Sequence, residues 1–443
     1  MFHTDHNPLM TNSNFGNVST DGEIAWSVSG FSNGQVIGGA VVTNTAANND
    51  DFYWTQGNFI MAGTYPNNNA ANGEKAVIKW RYRGVGLFGE STPAVSTDGK
   101  TLYVRGSNHD DGSDKRDGYV YAIDTKTGSL VWQWVDKQKS MGNSYGSVVL
   151  HYDSNTKTDT LYVFHNTWGE NAENILYSLN SKSGEVNWSY SIVVKDPLQT
   201  TGCSRTSPAI FTSDTESSIV ITTTDGYIRK VDRKTGAFIW EYQAMTDKYT
   251  ASTTPIIDSI GNIYVASMGS SIATSENGLH AFLYYISIDG KLIWKIDLGM
   301  NKDKYVFDNV WSPVLNEKKN VLYIAANSYL FTFDITNKNQ EPVLMWSYRV
   351  YDPVMGYQDI LSTPLIHTPS SSNSRDMMYF TAFSWTLAFD ITDVNKPFKD
   401  YGWVWASMSS KAYHSEQCQP ALNKYGQILV GAYQTVDCIG ILN

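Results

Sequence analysis

The segment Val120-Tyr-Ala-Ile-Asp-Thr-Lys-Thr-Gly-Ser-Leu-Val-Trp132 decides the fold of this chain. It contains two short β-rich runs joined by a turn at Thr127-Gly128, where glycine supplies the positive φ that a tight turn needs. Variants of the phrase recur along the sequence and end in tryptophan. The repeated tryptophans, 52 to 59 residues apart, are Trp26, Trp80, Trp132, Trp188, Trp240, Trp294, Trp346 and Trp405. A period of this size predicts a repeat architecture.

One complete repeat contains four β-rich runs separated by turn residues. In the second repeat these runs are residues 91–95, 101–105, 118–124 and 129–134. Four antiparallel strands repeated radially form a propeller blade, and no stretch of the chain has a long helical periodicity. Proline opens most first strands, which fits an innermost strand with one unpaired edge. A large ring at a fixed place on the fourth strand predicts packing against the next blade, rather than ligand stacking.

The last repeat lacks its fourth strand, which the N-terminal segment around Trp26 can supply. The sequence therefore predicts an all-β, eight-bladed propeller whose N-terminal strand completes the C-terminal blade. We predict a single domain over 1–443. Its parts are a lead-in (1–19), a closing strand (20–28), seven continuous blades over about 35–407, and a last blade made of 418–443 plus 20–28.

Composition excludes several classes of function. The 443-residue chain carries a net charge of −10 with 17% charged residues, so no basic face for nucleic acid is predicted. No run of 18 apolar residues exists, so no membrane span is predicted. Low charge with abundant Asn and Tyr favours an extracytoplasmic location, whether secreted, periplasmic or at the cell surface. No signal peptide is visible in the sequence.

The repeats resemble the PQQ-like propeller repeats of quinoprotein alcohol dehydrogenases and of the outer-membrane assembly lipoprotein BamB. The resemblance rests on the phrase that ends at Trp132, covers roughly residues 20–443, and implies the propeller fold. Residues 1–14 also resemble the lead-in of mature exported proteins of this superfamily, which favours export. The resemblance to the dehydrogenases implies a calcium ion on Glu, Asn and Asp side chains, a catalytic Asp, a Trp beneath the quinone, and often a vicinal disulfide. The sequence has no Cys-Cys pair, no C-x-x-C-H phrase and no identifiable calcium-ligand phrases.

The candidate ligand site lies in the segments that precede the first strands, since these line the mouth of a propeller's central channel. Their polar residues are Glu90, Tyr145, Arg205, Ser252, Asp308, Asn309, Asp359, His414 and Glu416. Carboxylates converging with one Arg and one His would suit a cation such as calcium, or a small polar ligand. The alternative is a solvated rim whose side chains pair with one another. A second candidate, the acidic loop 108–114, offers several oxygen ligands but lacks the full EF-hand pattern.

Three cysteines and two glycosylation sequons leave alternatives open. Cys418 and Cys438 belong to the same terminal blade, where either a bridge or two buried thiols would be consistent with the sequence, and Cys203 has no evident partner. The Asn-x-Ser sequons begin at Asn17, in the lead-in, which we expect to be exposed, and at Asn187, beside a repeat tryptophan.

Three functional hypotheses follow, because a fold by itself does not define a function. The first is an exported, non-catalytic scaffold or binding module for a protein, a glycan or a second copy of itself, with no cofactor. The second is a dehydrogenase of alcohols or sugars that depends on PQQ and calcium. The third is a BamB-like assembly factor. The missing cofactor motifs in otherwise regular repeats favour the first.

Overall fold

The computed structural model of the protein is a ring of eight four-stranded antiparallel blades, as the sequence predicts. The structure describes residues 11–12, 24–29, 39–42, 51–65, 76–84, 91–107, 118–136, 146–165, 173–193, 206–223, 226–244, 253–267, 281–298, 310–352, 356–368, 375–382, 385–395, 405–408, 419–423, 426–431 and 435–439.

Each blade is built from consecutive strands, the first lying innermost. Blades 1 to 3 are β3 (Val41–Val42), β4 (Asp51–Gln56), β5 (Phe59–Thr64), β6 (Val77–Arg83); β7 (Ala94–Val95), β8 (Thr101–Ser107), β9 (Gly118–Asp124), β10 (Leu130–Asp136); and β11 (Val149–Asp153), β12 (Thr158–His165), β13 (Glu173–Asn180), β14 (Val186–Val193). Blades 4 and 5 are β15 (Ala209–Thr212), β16 (Ser217–Thr222), β17 (Tyr227–Asp232), β18 (Phe238–Gln243); and β19 (Ile256–Ile257), β20 (Ile263–Ser267), β21 (Phe282–Ile286), β22 (Leu292–Asp297).

The remaining blades follow the same order. Blade 6 is β23 (Val314–Asn316), a 3₁₀ turn (Glu317–Lys319), β24 (Val321–Ala326), β25 (Tyr329–Asp334) and β26 (Val343–Arg349), followed by a hairpin of β27 (Tyr351–Asp352) and β28 (Gly356–Tyr357). Blade 7 is β29 (Leu365–His367), β30 (Met377–Ala382), β31 (Trp385–Asp390) and β32 (Trp405–Met408); blade 8 is β33 (Ala421–Leu422), β34 (Ile428–Gly431), β35 (Thr435–Ile439) and β2 (Ile24–Ser29). Innermost strands begin at one face, here called the loop face, and end at the other, here called the turn face.

The N-terminal strand closes the ring, which confirms the sequence prediction. Strand β2 is the outermost strand of blade 8 and pairs antiparallel with β35, with Ile24 opposite Ile439 and Trp26 opposite Cys438. Cys438 is a buried free thiol, so the bridged alternative does not hold. Burial raises the pKa of this thiol well above its usual value. Cys203 and Cys418 lie outside the described residues.

Blade 7 has a fifth strand on its inner edge. Strand β1 (Thr11–Asn12) pairs in parallel with β29 of blade 7, placing Thr11 opposite Ile366 and Asn12 opposite His367. It thus lies on the inner edge of blade 7, next to the propeller axis. The expectation of an unpaired innermost edge is therefore wrong in blade 7, because the backbone groups of β29 pair with β1. The expected exposure of the lead-in around Asn17 lies outside the described residues.

The repeated tryptophans join neighbouring blades. The indole Nε1 of Trp240 donates to the carbonyl of Ile288, in the next blade, at 2.9 Å. The same bond to the next blade is made by Trp80, Trp132, Trp188, Trp294 and Trp346. The rings of Trp80, Trp132, Trp188 and Trp240 also lie against the turn glycine of the next blade. For example, a Cβ on Gly290 would be 2.7 Å from the Trp240 ring. This confirms the interblade role for the six tryptophans whose side chains are described.

Candidate functional site

Most of the predicted axial site lies outside the described residues. This applies to Glu90, Tyr145, Arg205, Ser252, Asp308, Asn309, His414 and Glu416, and to the acidic loop 108–114. Asp359 is described: its side chain is exposed, between the β27–β28 hairpin and blade 7. The predicted cluster therefore stays a prediction. Of the two sequons, Asn17 is outside the described residues, and the Asn187 amide donates to Ser178 Oγ at 3.2 Å.

Around the axis, successive innermost strands are tied together by hydroxyl groups. The backbone N–H of Thr92 donates to Ser147 Oγ at 3.1 Å, and that of Ser147 donates to Ser207 Oγ at 3.0 Å. The N–H of Ser207 continues the series to Thr254 Oγ1, and Gly39 begins it by donating to Thr92 Oγ1. Each of these buried amides gains an acceptor on the next blade, which fixes the spacing of the strands that surround the channel.

A second series of bonds lies one strand further out, at the loop-face end of the second strand. Thr55 Oγ1 donates to the Ser91 carbonyl at 3.1 Å, and Thr222 Oγ1 donates to the Thr253 carbonyl at 3.0 Å. Each acceptor directly precedes a residue of the hydroxyl series. In blade 2 the same place is held by Arg105, whose Nη1 lies 3.4 Å from the Gly146 carbonyl.

Arg105 is an unusual residue in this position. The side chain is 3% exposed, and its Nη2 atom is buried without a hydrogen-bond partner. No carboxylate among the described residues pairs with it. Burial lowers the pKa of Arg105 to about 9, so the guanidinium still carries its charge at neutral pH. Sequence analysis missed this residue, although the repeat alignment contains a signal. The matching positions in the other blades are Thr55, Phe164, Thr222, Ala266, Ala325, Thr381 and Gly431, none of them charged.

The outer rim of the propeller carries a repeated apolar feature. The first residues of the outermost strands are exposed at the turn face, including Val343 (67%) in blade 6, Val77 (59%) in blade 1 and Phe238 (51%) in blade 4. The other exposed apolar residues at this place are Leu130, Val131, Val186, Ile239, Leu292 and Leu344. Together these nine residues form what is called the apolar rim below. Phe238 also stacks on Tyr190 of the preceding blade, with ring centroids 6.4 Å apart.

A polar cleft of about 530 Å³ opens at the turn face between blades 3 and 4. Its lining includes Trp188, Arg233 and Asp159. These groups already have protein partners: Arg233 Nη1 donates to Tyr162 Oη at 3.1 Å, and Asp159 accepts from the backbone N–H and hydroxyl of Thr97. At least two of the charged groups in this polar cleft are therefore bonded within the fold.

Within the ranges given above, no group of three or more His, Cys, Asp or Glu side chains is placed to hold a metal ion. In the same part of the chain, no helix has the length and apolar character needed to cross a membrane.

Comparison with known proteins places the chain among PQQ-like propellers. A family model described as "Outer membrane protein assembly factor BamB" matches residues 16–267 and 205–375. No curated protein matches the sequence. Among solved structures, BamB from Moraxella catarrhalis is 12% identical, with a TM-score of 0.54, covering 94% of this chain and 100% of that one.

Two dehydrogenases are also similar in structure. A europium-containing methanol dehydrogenase is 13% identical with a TM-score of 0.57, covering 98% of this chain and 89% of that one. A quinohemoprotein alcohol dehydrogenase from Pseudomonas putida HK5 is 12% identical with a TM-score of 0.58, covering 98% and 79%. At these identities the likeness shows a shared fold and leaves the function to the residues of this chain.

Proposed function

Because the chain belongs to the PQQ-like propeller family described as outer membrane protein assembly factor BamB, we propose that it is a non-catalytic, extracytoplasmic propeller that binds a protein partner. The observation that carries this proposal is the apolar rim. Its members are the first or second residue of the outermost strand in blades 1 to 6, so the feature repeats with the blade rather than occurring as scattered exposed residues.

The chemistry of the rim favours a protein. Exposed apolar side chains that recur from blade to blade suit an interaction surface, since their burial against a partner is favourable by about 25 cal/mol per Å². The stacked pair Tyr190 and Phe238 supplies an aromatic group at the junction of two blades, a residue type enriched in protein interfaces.

The backbone of the rim strengthens this proposal. In blades 1 to 6 the outermost strand is hydrogen-bonded to its neighbour on one side only, among the described residues. An outermost strand such as β18 thus presents a row of backbone donors and acceptors beside Phe238 and Ile239. An extended segment of a partner could pair with such an edge while its alternate side chains pack on the apolar residues.

The proposal is tested by a triple variant, Val131→Thr, Phe238→Thr and Val343→Thr, which retains β propensity but removes apolar area from three blades. The protein and the variant are incubated with extracytoplasmic extract of the source organism, and partners are quantified by mass spectrometry. We expect recovery of the specific partner to fall by about tenfold or more, because a few residues usually carry most of the binding energy of an interface.

The matched control is Ile260→Thr. Ile260 is 60% exposed but lies in the β19–β20 turn, away from the outermost strands. Its variant should recover the partner as well as the unaltered protein does. Equal recovery by the triple variant would contradict rim binding. Retention of a glycan instead of a protein, or loss of a dimer in light scattering, would assign the rim to the glycan or self-association alternatives.

A PQQ- and calcium-dependent dehydrogenase is the second candidate function, favoured by the two dehydrogenase structures that cover 98% of this chain. Its metal would need carboxylates at the axial mouth, where Glu90 and Asp308 are the sequence candidates and where the described Asp359 is exposed. A BamB-like assembly factor would be a particular form of the first proposal, since it too acts by binding proteins.

A further inference from the structure

The guanidinium of Arg105 exceeds what the fold requires at its position. In blades 1 and 4, a threonine hydroxyl alone satisfies the equivalent carbonyl of the next blade. Arg105 makes that contact through Nη1 at 3.4 Å, longer than either threonine bond, and leaves Nη2 buried without a partner. A buried polar group of this kind is costly unless something satisfies it, and a buried charge more so.

The surroundings of Arg105 lie at the loop face, between blades 2 and 3. Gly146 opens the innermost strand of blade 3, and a Cβ there would lie 2.4 Å from the Thr206 carbonyl and 3.6 Å from Arg105 Nη1. The site is thus close to the channel wall where three successive blades meet. Ser91, just before the innermost strand of blade 2, also has a buried hydroxyl without a partner. Two unsatisfied polar groups therefore occur at the same end of blade 2.

A paired arginine shows how this fold treats a buried guanidinium that serves only the fold. Arg229 in blade 4 is 2% exposed, and its Nε lies 3.2 Å from Glu241 Oε2 while Nη1 donates to Thr223 Oγ1. Arg105 has neither kind of partner among the described residues. The charge of Arg105 is thus uncompensated among the described residues, which fits a counter-charge supplied by a ligand.

We propose that Arg105 anchors an anion site at the loop face between blades 2 and 3, which binds the carboxylate or phosphate group of a small ligand. The free end of a guanidinium offers two parallel N–H donors, which match two oxygens of either group. Burial strengthens the attraction, because the low-dielectric surroundings screen it less than water does. The proposal is independent of partner binding at the apolar rim.

The experiment measures the melting temperature in inorganic phosphate, in acetate, and in buffer alone at constant ionic strength. We expect at least one of the two anions to raise the melting temperature of the unaltered protein by about 2–4 °C at saturation. Arg105→Met, which fills the space without charge, should abolish the rise. A larger effect of phosphate identifies a phosphate ligand, and a larger effect of acetate identifies a carboxylate.

Two further variants keep the result interpretable. Arg229→Met is the matched control, because it removes a buried arginine that already has a carboxylate partner, and it should respond to the anion as the unaltered protein does. Arg105→Thr recreates the bond found in blades 1 and 4. It should also lose the response to the anion, and it provides the test if Arg105→Met does not fold.

Three results would overturn the proposal. The first is no shift in any protein. The second is the same shift in the unaltered protein and in the Arg105 variants, which would show a general salt effect. The third is a marked loss of stability in anion-free buffer in both Arg105→Met and Arg105→Thr. That outcome would mean that the guanidinium stabilises the fold without a ligand.

Discussion

Blades 3 and 4 both bond a carbonyl of the following blade twice, but they use different side chains to do so. At the end of blade 3, Trp188 Nε1 and Tyr162 Oη lie 3.2 and 3.4 Å from the Arg233 carbonyl. At the end of blade 4, Trp240 Nε1 and Lys230 Nζ lie 2.9 and 2.8 Å from the Ile288 carbonyl. The position of Tyr162 is taken in blade 4 by Val220, which cannot donate.

The comparison shows that the fold preserves a bond rather than a residue. Lys230 supplies the donor that Val220 lacks, and Glu216 forms an ion pair with the buried ammonium group. A charge introduced for a structural reason thus comes with its counter-charge. Arg105 holds the place that threonine has in blades 1 and 4, and it has no such counter-charge among the described residues. This contrast with Lys230 is the reason for proposing an anion site at Arg105.

Removing the repeated tryptophan, which both interfaces share, should cause the largest loss of stability. Trp240→Ala removes a packed ring and the bond to Ile288, and we expect a loss of about 3–5 kcal/mol in the free energy of unfolding, measured by denaturant titration. Trp134→Ala should cost less. Trp134 contacts Tyr177 edge-on, with centroids 4.8 Å apart, but it lies outside the repeat position. Equal losses for Trp132→Ala and Trp134→Ala would contradict the assignment of the repeat position to Trp132.

Replacing the lysine donor of blade 4 by a tyrosine donor should have an intermediate effect on the free energy of unfolding. Lys230→Ala removes one donor and leaves Glu216 without its partner, so we expect a loss of about 2–3 kcal/mol. Adding Val220→Tyr recreates the row Tyr103, Ala122 and Trp132 of blade 2, and should recover at least about half of that loss. Val220→Tyr alone should destabilise by overpacking against Lys230. Additive losses in the double variant would contradict the shared-carbonyl interpretation.

Changing the carboxylates in the turns beside the tryptophans should have the smallest effect on stability. This effect should depend on pH. Hydrogen bonds from the Thr127 backbone N–H and hydroxyl lower the pKa of Asp124, and those from Thr336 lower that of Asp334. A carboxylate with a lowered folded-state pKa stabilises the fold above its unfolded pKa of about 4, and this contribution is lost as the pH falls through the folded value.

Asparagine already serves in the equivalent turn of blade 3, where Asn180 Oδ1 accepts from the Lys182 and Ser183 backbone. The double variant Asp124→Asn and Asp334→Asn should therefore lose less stability between pH 5 and pH 2.5 than the unaltered protein. The difference should be less than about 1 kcal/mol, because both carboxylates are partly exposed to solvent. Identical acid titrations would show that these turns do not contribute.

The fold was predictable because its signal repeats. Turn glycines and tryptophans at a constant period predict blades. An orphan N-terminal strand and a three-stranded C-terminal repeat predict closure between the two ends. The carbonyl that each tryptophan bonds was not predictable, because it depends on how two blades pack. The pairing of β1 with β29 was not predictable either, since a backbone edge accepts a strand of almost any sequence.

The candidate site was less predictable than the fold. The axial residues from Glu90 to Glu416 were predicted from their place in the sequence before the first strands and from their polar chemistry. These segments share no repeated motif that would define a particular ligand site. Arg105 was hidden for the opposite reason: it lies inside a regular strand, where alternation predicts an interior position but not a missing partner. A comparison of equivalent positions across all blades would have singled it out as the one charged residue at its place.

Whether this propeller is a binding module or a dehydrogenase is tested most directly by dye reduction with the purified protein. The protein is supplied with PQQ, calcium and a panel of alcohols and aldoses, beside a quinoprotein dehydrogenase reconstituted in parallel. A binding module predicts no turnover above the protein-free rate while the reconstituted dehydrogenase is active. Turnover that disappears on Glu90→Gln or Asp308→Asn would contradict the proposed function and establish the dehydrogenase instead.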